Sequence, residues 1–227
     1  MARIHRFPRE DGTVVEIAIT ERADGDFHID SPDLADRRAR VMPGDWSVVR
    51  QVHGAAIVAA DPAQAPEADA VYTSEPGRPI AVQGADCAPV ALFGADGAIA
   101  VAHVGWRGLE AGVLDTTVDT LRAAGTAPTT ALVGPLIGPE CYEFGAEDLE
   151  RLTTTIGAEV RSTTATGTPA LDVGAGIRRV LSARHGVEDI HMLGECTACG
   201  DGGWSHRARR EPQRHAMAAR ILEADDA

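Results

Sequence analysis

Short apolar runs broken by Gly, Pro and Asp dominate the first half of the chain: TVVEIAIT (13–20), WSVVRQVH (46–53), PIAVQG (79–84), PVALFG (89–94) and AIAVAHVG (98–105). Each is rich in Val, Ile and Ala and bounded by turn-forming residues, which is the pattern of β-strands. GADG (94–97) is a compact turn between the last two, so they are predicted to form a hairpin that returns His103 to the sheet end carrying Cys87. Beyond GWRG the period changes: Val113, Leu114, Val118 and Leu121 recur at helical spacing and Gly125 is placed as a stop, predicting one helix of about four turns. A strand is expected in TALVGPLIGP (130–139) and another in DIHMLG (189–194). Between them AEDLERLTTTIG (146–157) and VGAGIRRVLSARHG (173–186) read as amphipathic helices, the second ended by Gly186.

Hairpins mixed with helices predict an α+β (mixed α/β) fold of layered mixed β-sheets flanked by helices. PAQAPEA (62–68) and TTATGTPA (163–170) are short enough to be surface loops, so residues 1–227 are expected to form a single domain.

Composition narrows the function. The 227 residues are 44% hydrophobic, with no run near the roughly 18–20 apolar residues of a membrane span. The opening MARIHRFPRED lacks the apolar core of a signal peptide, so a cytoplasmic location and no membrane partner are expected. A net charge of -13 argues against nucleic acid as a partner, while a small anion in a local arginine pocket stays open. Every one of the 21 basic residues is arginine. Without lysine, Schiff-base chemistry, the Walker A lysine and Ser-x-x-Lys hydrolases are excluded. Asparagine is absent too, which removes N-glycosylation sites and a Cys-His-Asn triad.

Cys87, Cys141, Cys196 and Cys199 are too sparse for a disulfide framework, which leaves metal binding or plain burial. Cys87 in GADCAP and His103 in AHVGWRG are brought together by the predicted hairpin. A thiol beside a histidine serves as a nucleophile with its base or as half of a zinc site. His53, ending RQVH before a glycine, is the best third ligand, and three ligands leave the open position that catalytic zinc requires. The CxxC of ECTACG has no second pair and only His191 nearby, so no metal is expected at Cys196 and Cys199. Arg107, at a strand-to-helix turn, is placed either as a seat for phosphate or an oxyanion, or as a structural partner of a carboxylate. Asp86 is suited to orienting a zinc ligand or to acting as a general base, and Asp69 to holding a loop or capping a turn.

QVHG, DAVYT followed by GADCAPVALF, AHVGWRG, and GPLIGPECYEFG together resemble the polyphenol oxidase or laccase-domain family, also called YfiH-like or peptidoglycan editing factor proteins. The resemblance is colinear over about residues 45–145, with weaker echoes at LDV (171–173), ECTACG and the arginine-rich tail. It implies a YfiH-like fold similar to the deamidating cytotoxin fold and a metal site at His53, Cys87 and His103, holding Zn2+ in preference to copper. It further implies a purine nucleoside phosphorylase acting on adenosine, inosine, guanosine and methylthioadenosine, with adenosine deaminase activity. Two alternatives come with the family: a zinc hydrolase editing mis-charged UDP-muramyl amino acid in peptidoglycan synthesis, and a copper-dependent polyphenol oxidase. The last fits the residues poorly, because none of the eight histidines forms an HxH pair.

On this reading the catalytic candidates are Arg107 and Asp86 and the substrate-binding candidates Arg37, Tyr142 and Arg207, with a purine nucleoside and phosphate as partners and a monomer or homodimer as the assembly. The sequence departs from the family at Asp36, where an asparagine is usual before the arginine. It departs again at Ser205-His206-Arg207, where a SYRRD-like stretch precedes an arginine-containing helix.

Overall fold

In a computed structural model the described residues are 1–223. The chain opens with β1 (Arg3–Pro8), β2 (Val14–Ile19), α1 (Leu34–Val41), β3 (Ser47–Val48), β4 (Ile57–Ala59) and β5 (Ala70–Thr73). β6 (Ile80–Gly84), β7 (Ala88–Phe93), β8 (Ile99–Val104), α2 (Trp106–Ala111), α3 (Val113–Ala123) and β9 (Thr130–Val133) follow. The remainder is α4 (Ala146–Thr155), β10 (Arg161–Thr163), β11 (Pro169–Leu171), α5 (Val173–Arg179) running into a π-helical turn (Val180–Arg184), β12 (Asp189–Met192), α6 (His206–Arg209) and β13 (His215–Leu222).

Two mixed sheets carry the fold, one in the order β1-β2-β13-β6-β3 and the other β12-β9-β7-β8-β5-β4, with β10 and β11 as a separate pair. Strand alternation sorts the side chains into layers. Val15, Ile17 and Ile19 of β2, Ile80 and Val82 of β6, Ala91 and Phe93 of β7, and Ile99 and Val101 of β8 pack into one buried cluster between the two sheets. The opposite face of β7 and β8, with Val90, Leu92, Ala100 and Ala102, packs against Leu114, Val118 and Leu121 of α3 and Leu149 and Leu152 of α4. Ala18, Ala81 and Ala218 on the outer face of the first sheet meet Leu34, Met42 and Trp46. The result is helix, sheet, sheet, helices, and each fully buried Leu or Ile contributes about 1.5–3 kcal/mol.

The predicted hairpin is present: β7 and β8 pair antiparallel from Phe93–Ile99 to Pro89–His103 and Ala88–Val104. Three expectations need correction. The expected strand 46–53 is a strand only at Ser47–Val48, with an isolated bridge from Arg50 to Glu67, and by His53 the backbone has turned left-handed at φ 60. The single helix expected after GWRG starts earlier, at Trp106, and breaks at Gly112, whose φ of 88 ends α2 and begins α3. The arginine-containing helix expected after Arg207 is confined to His206–Arg209, and the next element is β13, between β2 and β6. The arginines there follow β-alternation: Arg220 turns outward onto Glu16 of β2 at 2.7 Å, while its apolar neighbours fill the core. Among the described residues no helix is long and apolar enough to cross a membrane.

Candidate metal centre

Asp69 organises the site. It is fully buried just before β5, and its carboxylate accepts the backbone N–H groups of Val52 (3.2 Å), His53 (3.0 Å) and Gly54 (2.6 Å). That clamp holds His53 in the left-handed region, where a non-glycine residue is strained. The same carboxylate lies 2.9 Å from Nδ1 of His103, which orients the ring and leaves Nε2 as the nitrogen turned to Cys87. Burial alone would raise the Asp69 pKa, but the His103 contact and the backbone N–H groups hold it below the usual range.

His103 sits near the end of β8 and Cys87 just before β7, so the hairpin register sets their approach. The imidazole centroids of His53 and His103 are 4.9 Å apart at 74°, and one donor atom from each of His53, Cys87 and His103 lies within 4.8 Å of the other two. Gly105 leaves the space this requires: a β-carbon there would stand 2.7 Å from Cys87 Sγ and 3.3 Å from His53 Cδ2. Burial pushes the Cys87 thiol up, but the charge and hydrogen bonds of His103 and His53 outweigh it and bring it down to about 6. Burial lowers His103, and the Cys87 thiolate together with Asp69 raises it to about 9. A thiolate held against an imidazolium is a pair whose shared proton a nitrogen- and sulfur-seeking cation replaces. Two histidines, one cysteine and a carboxylate behind one histidine therefore fit a transition-metal ion.

The centre forms one wall of a cleft of about 540 Å³, lined also by Arg50, Trp106, Arg107, Tyr142, Arg207 and Arg214. The guanidinium of Arg107 stacks on Trp106 at 4.4 Å, and that of Arg207 lies 5.5 Å from the Tyr142 ring and donates to the Glu143 carbonyl at 2.7 Å. Neither guanidinium pairs with a carboxylate among the described residues, which leaves two positive groups facing the cleft. The Tyr142 hydroxyl is pushed up to about 12 by burial and by Cys87, so it stays protonated as a donor.

Asp86 lies in the turn between β6 and β7 at φ 90, off the strands. Its two carboxylate oxygens accept from Thr197 Oγ1 (2.7 Å) and the Arg207 backbone N–H (2.6 Å), and its carbonyl accepts from Ile137 N–H (2.9 Å). Arg37 is not among the residues lining the cleft. Its guanidinium donates to the Asp26 carbonyl (3.0 Å) and Ser31 Oγ (3.0 Å), shaping the loop that presents His28, Ile29 and Asp30 to it. Of the other lining residues, Arg214 belongs to the arginine-rich tail and Trp106 to GWRG, whereas Arg50 carries no local sequence signal. Cys141, Cys196 and Cys199 converge with Glu140 in a second cluster outside this cleft.

A Pseudomonas aeruginosa protein named purine nucleoside phosphorylase PA4543 is 40% identical over 154 residues, 65% of this chain and 62% of that protein's length. A Streptomyces coelicolor protein of the same descriptive name is 35% identical over 189 residues, covering 80% of this chain and 77% of that protein. Among solved structures, a Neisseria meningitidis protein, NMB0706, superposes with a TM-score of 0.80 at 24% identity over 97% of this chain and 99% of that one. YlmD from Geobacillus stearothermophilus gives 0.76 at 25% identity over 93% and 92%. The sequence pattern of the family described as multi-copper polyphenol oxidoreductase laccase matches residues 31–222, taking in His53, Asp69, Cys87, His103 and the cleft arginines, and the chain belongs to that family.

Proposed function

We propose that this chain is a metal-dependent purine nucleoside phosphorylase acting on adenosine, inosine, guanosine and methylthioadenosine, with an accompanying adenosine deaminase activity. The observation that carries the reading is a three-donor centre and the unpaired guanidiniums of Arg107 and Arg207 in one cleft of a chain whose net charge is -13. The names of the Pseudomonas and Streptomyces relatives support it.

Phosphorolysis joins a phosphate oxygen to C1′ of the ribose and releases the purine, so the protein must hold an anion beside the nucleoside. Arg107 is the proposed catalytic residue that seats phosphate, with Arg207 as a second guanidinium on the substrate. Tyr142 donates a hydrogen bond from the wall of the cleft. Asp86 acts as a positioning residue, tying Arg207 and Thr197 to the turn that carries Cys87. Arg37 contributes through the loop it braces. His53, Cys87 and His103 hold the ion, which when bound supplies a Lewis acid beside the nucleoside. Zinc suits the donor set, and two histidines with one cysteine accept copper as well, so both ions belong in the test.

The test is mass-spectrometric analysis of adenosine and inosine incubated with zinc-loaded and with copper-loaded protein, with and without phosphate, beside a Cys87→Ser control. Phosphate-dependent free base and ribose 1-phosphate, lost in the control, is the expected outcome. No turnover by protein shown to carry the metal sinks the reading and turns attention to amide hydrolysis of cell-wall precursors.

A further inference from the structure

Two loops beside the cleft bring a second set of soft donors together. The turn after β9 carries Glu140 and Cys141, and the loop after β12 carries Cys196 and Cys199. One donor atom from each lies within 4.8 Å of the other three, and all three cysteines are free thiols. None of these residues belongs to the centre of His53, Cys87 and His103.

The backbone fixes the cluster. Leu136 and Cys196 form a parallel bridge, with Leu136 N–H donating to the Glu195 carbonyl (3.1 Å) and Thr197 N–H to the Leu136 carbonyl (3.0 Å). Gly138 N–H donates to Cys196 Sγ at 3.2 Å, which fixes where that sulfur stands. Gly200 N–H closes the CTAC turn onto the Cys196 carbonyl at 2.9 Å, and Cys199 Sγ lies 3.5 Å from Glu140 Oε1. One of the turns needs glycine, since a β-carbon on Gly200 would come within 2.6 Å of the Cys196 carbonyl oxygen, and a β-carbon on Gly138 would push the Glu140 carboxylate out of its place in the cluster. Three sulfurs and a carboxylate at this spacing repel one another once ionised and are reconciled by a cation.

We infer that Glu140, Cys141, Cys196 and Cys199 form a second, structural site for a thiophilic divalent ion, with zinc the ion suited to three sulfurs and one carboxylate oxygen. Binding forms three metal–sulfur bonds and one metal–oxygen bond, the three thiol protons pass to solvent, and nothing is oxidised. The ion ties the turn after β9 to the loop after β12 from behind the cleft. Tyr142 follows Cys141 directly and lines the cleft, while Thr197 follows Cys196 and donates to Asp86 at 2.7 Å. The inference does not depend on the nucleoside reading.

Metal analysis of the full chain purified with zinc and desalted tests it: two equivalents in the wild type, one in Cys196→Ser/Cys199→Ser and one in Cys87→Ser. Cobalt(II) titration of the metal-stripped wild type gives an independent reading that needs no variant, with sulfur-to-cobalt charge-transfer absorption rising through two equivalents. Circular dichroism of each variant checks that it folds. Saturation of the wild type at one equivalent overturns the site, as does retention of two by the folded double variant. A mass lower by the two hydrogens of a disulfide in anaerobically purified protein overturns it as well, since the CxxC would then be a redox pair.

Discussion

Asp69 Oδ1 touches both histidines of the centre at once: it lies 2.9 Å from Nδ1 of His103 and 3.0 Å from the backbone nitrogen of His53. One buried carboxylate sets the ring orientation of one histidine and the backbone position of the other. Asp69→Asn keeps the shape but puts an NH2 group against donors that now meet an acceptor. The expected result is a roughly 10–100-fold loss of metal affinity by chelator competition. Unfolding free energy is expected to fall by about 1–3 kcal/mol. Unchanged affinity would show that Asp69 serves the loop alone.

Gly105→Ala places a methyl group 2.7 Å from Cys87 Sγ. The fold is expected to survive, because the surrounding strands and helices are unaffected, while the metal content of purified protein drops well below that of the wild type. Full metal occupancy in Gly105→Ala would mean that Cys87 has room to move and is not a fixed ligand.

The metal-stripped protein should be alkylated by iodoacetamide first at Cys87. Its thiol stands at about 6, whereas burial and Cys196 push Cys141 upward against a hydrogen bond with Cys199, and Cys199 is pushed up to about 12 by its hydrogen bonds to Cys196 and Cys141 together with burial. Peptide mapping across pH 5 to 8 is expected to give a Cys87 rate with a midpoint of about 6. Zinc should protect it. Equal labelling of all four cysteines at pH 7 would contradict the electrostatic account.

His215 is fully buried at the start of β13 with neither ring nitrogen hydrogen-bonded, and burial lowers its pKa from 6.5 to about 4. The unfolded chain takes up a proton near 6.5 and the folded one only near 4, so stability attached to the neutral ring is complete above pH 6.5 and drains away as pH falls towards 4. The full effect is of order 3 kcal/mol. Denaturant melts of His215→Leu are expected to show a shallower acid limb between pH 6.5 and 4 than the wild type, and identical limbs would rule this proton out.

On the nucleoside reading, Arg107→Ala removes a guanidinium that faces the cleft without a carboxylate partner. The phosphate KM is expected to rise about 10–100-fold, the range of one charge-assisted hydrogen bond. Metal content is expected to stay the same. Loss of metal together with activity would reassign Arg107 to the scaffold of the centre.

The centre was legible because its geometry is local in topology. Two apolar runs flanking GADG can only pair as a hairpin, and that pairing carries Cys87 to His103. His53 is legible for a partly wrong reason: RQVHG reads as a strand end, whereas the residue sits in a strained turn clamped by Asp69. That clamp spans distant parts of the chain and leaves no trace in local spacing. β1 leaves a weak signal because RIHRFP alternates half-buried and exposed positions with Arg3 on the half-buried side and Ile4 on the exposed one, which reads as polar. The grouping of Cys141 with Cys196 and Cys199 was invisible for the same reason as the clamp, since the parallel bridge between Leu136 and Cys196 is a tertiary event. β13 was hidden by the arginines around it, although its register with β2 and β6 is set by His215, Met217, Ala219 and Ile221 turning inward.

That strand also dictates an order of assembly. β13 is the latest of the described strands in the chain yet lies in the middle of its sheet, with β2 on one side and β6 on the other. While the polypeptide is being synthesised, both neighbours keep an open edge until residue 222 has been made, and open edges invite pairing with other chains. His215 pairs with Gly84, three residues before Cys87, so the floor beneath Cys87 is laid by a strand made far later in the chain. A nascent chain therefore carries its ligands long before it can present them in register, and productive metal capture belongs to the finished protein.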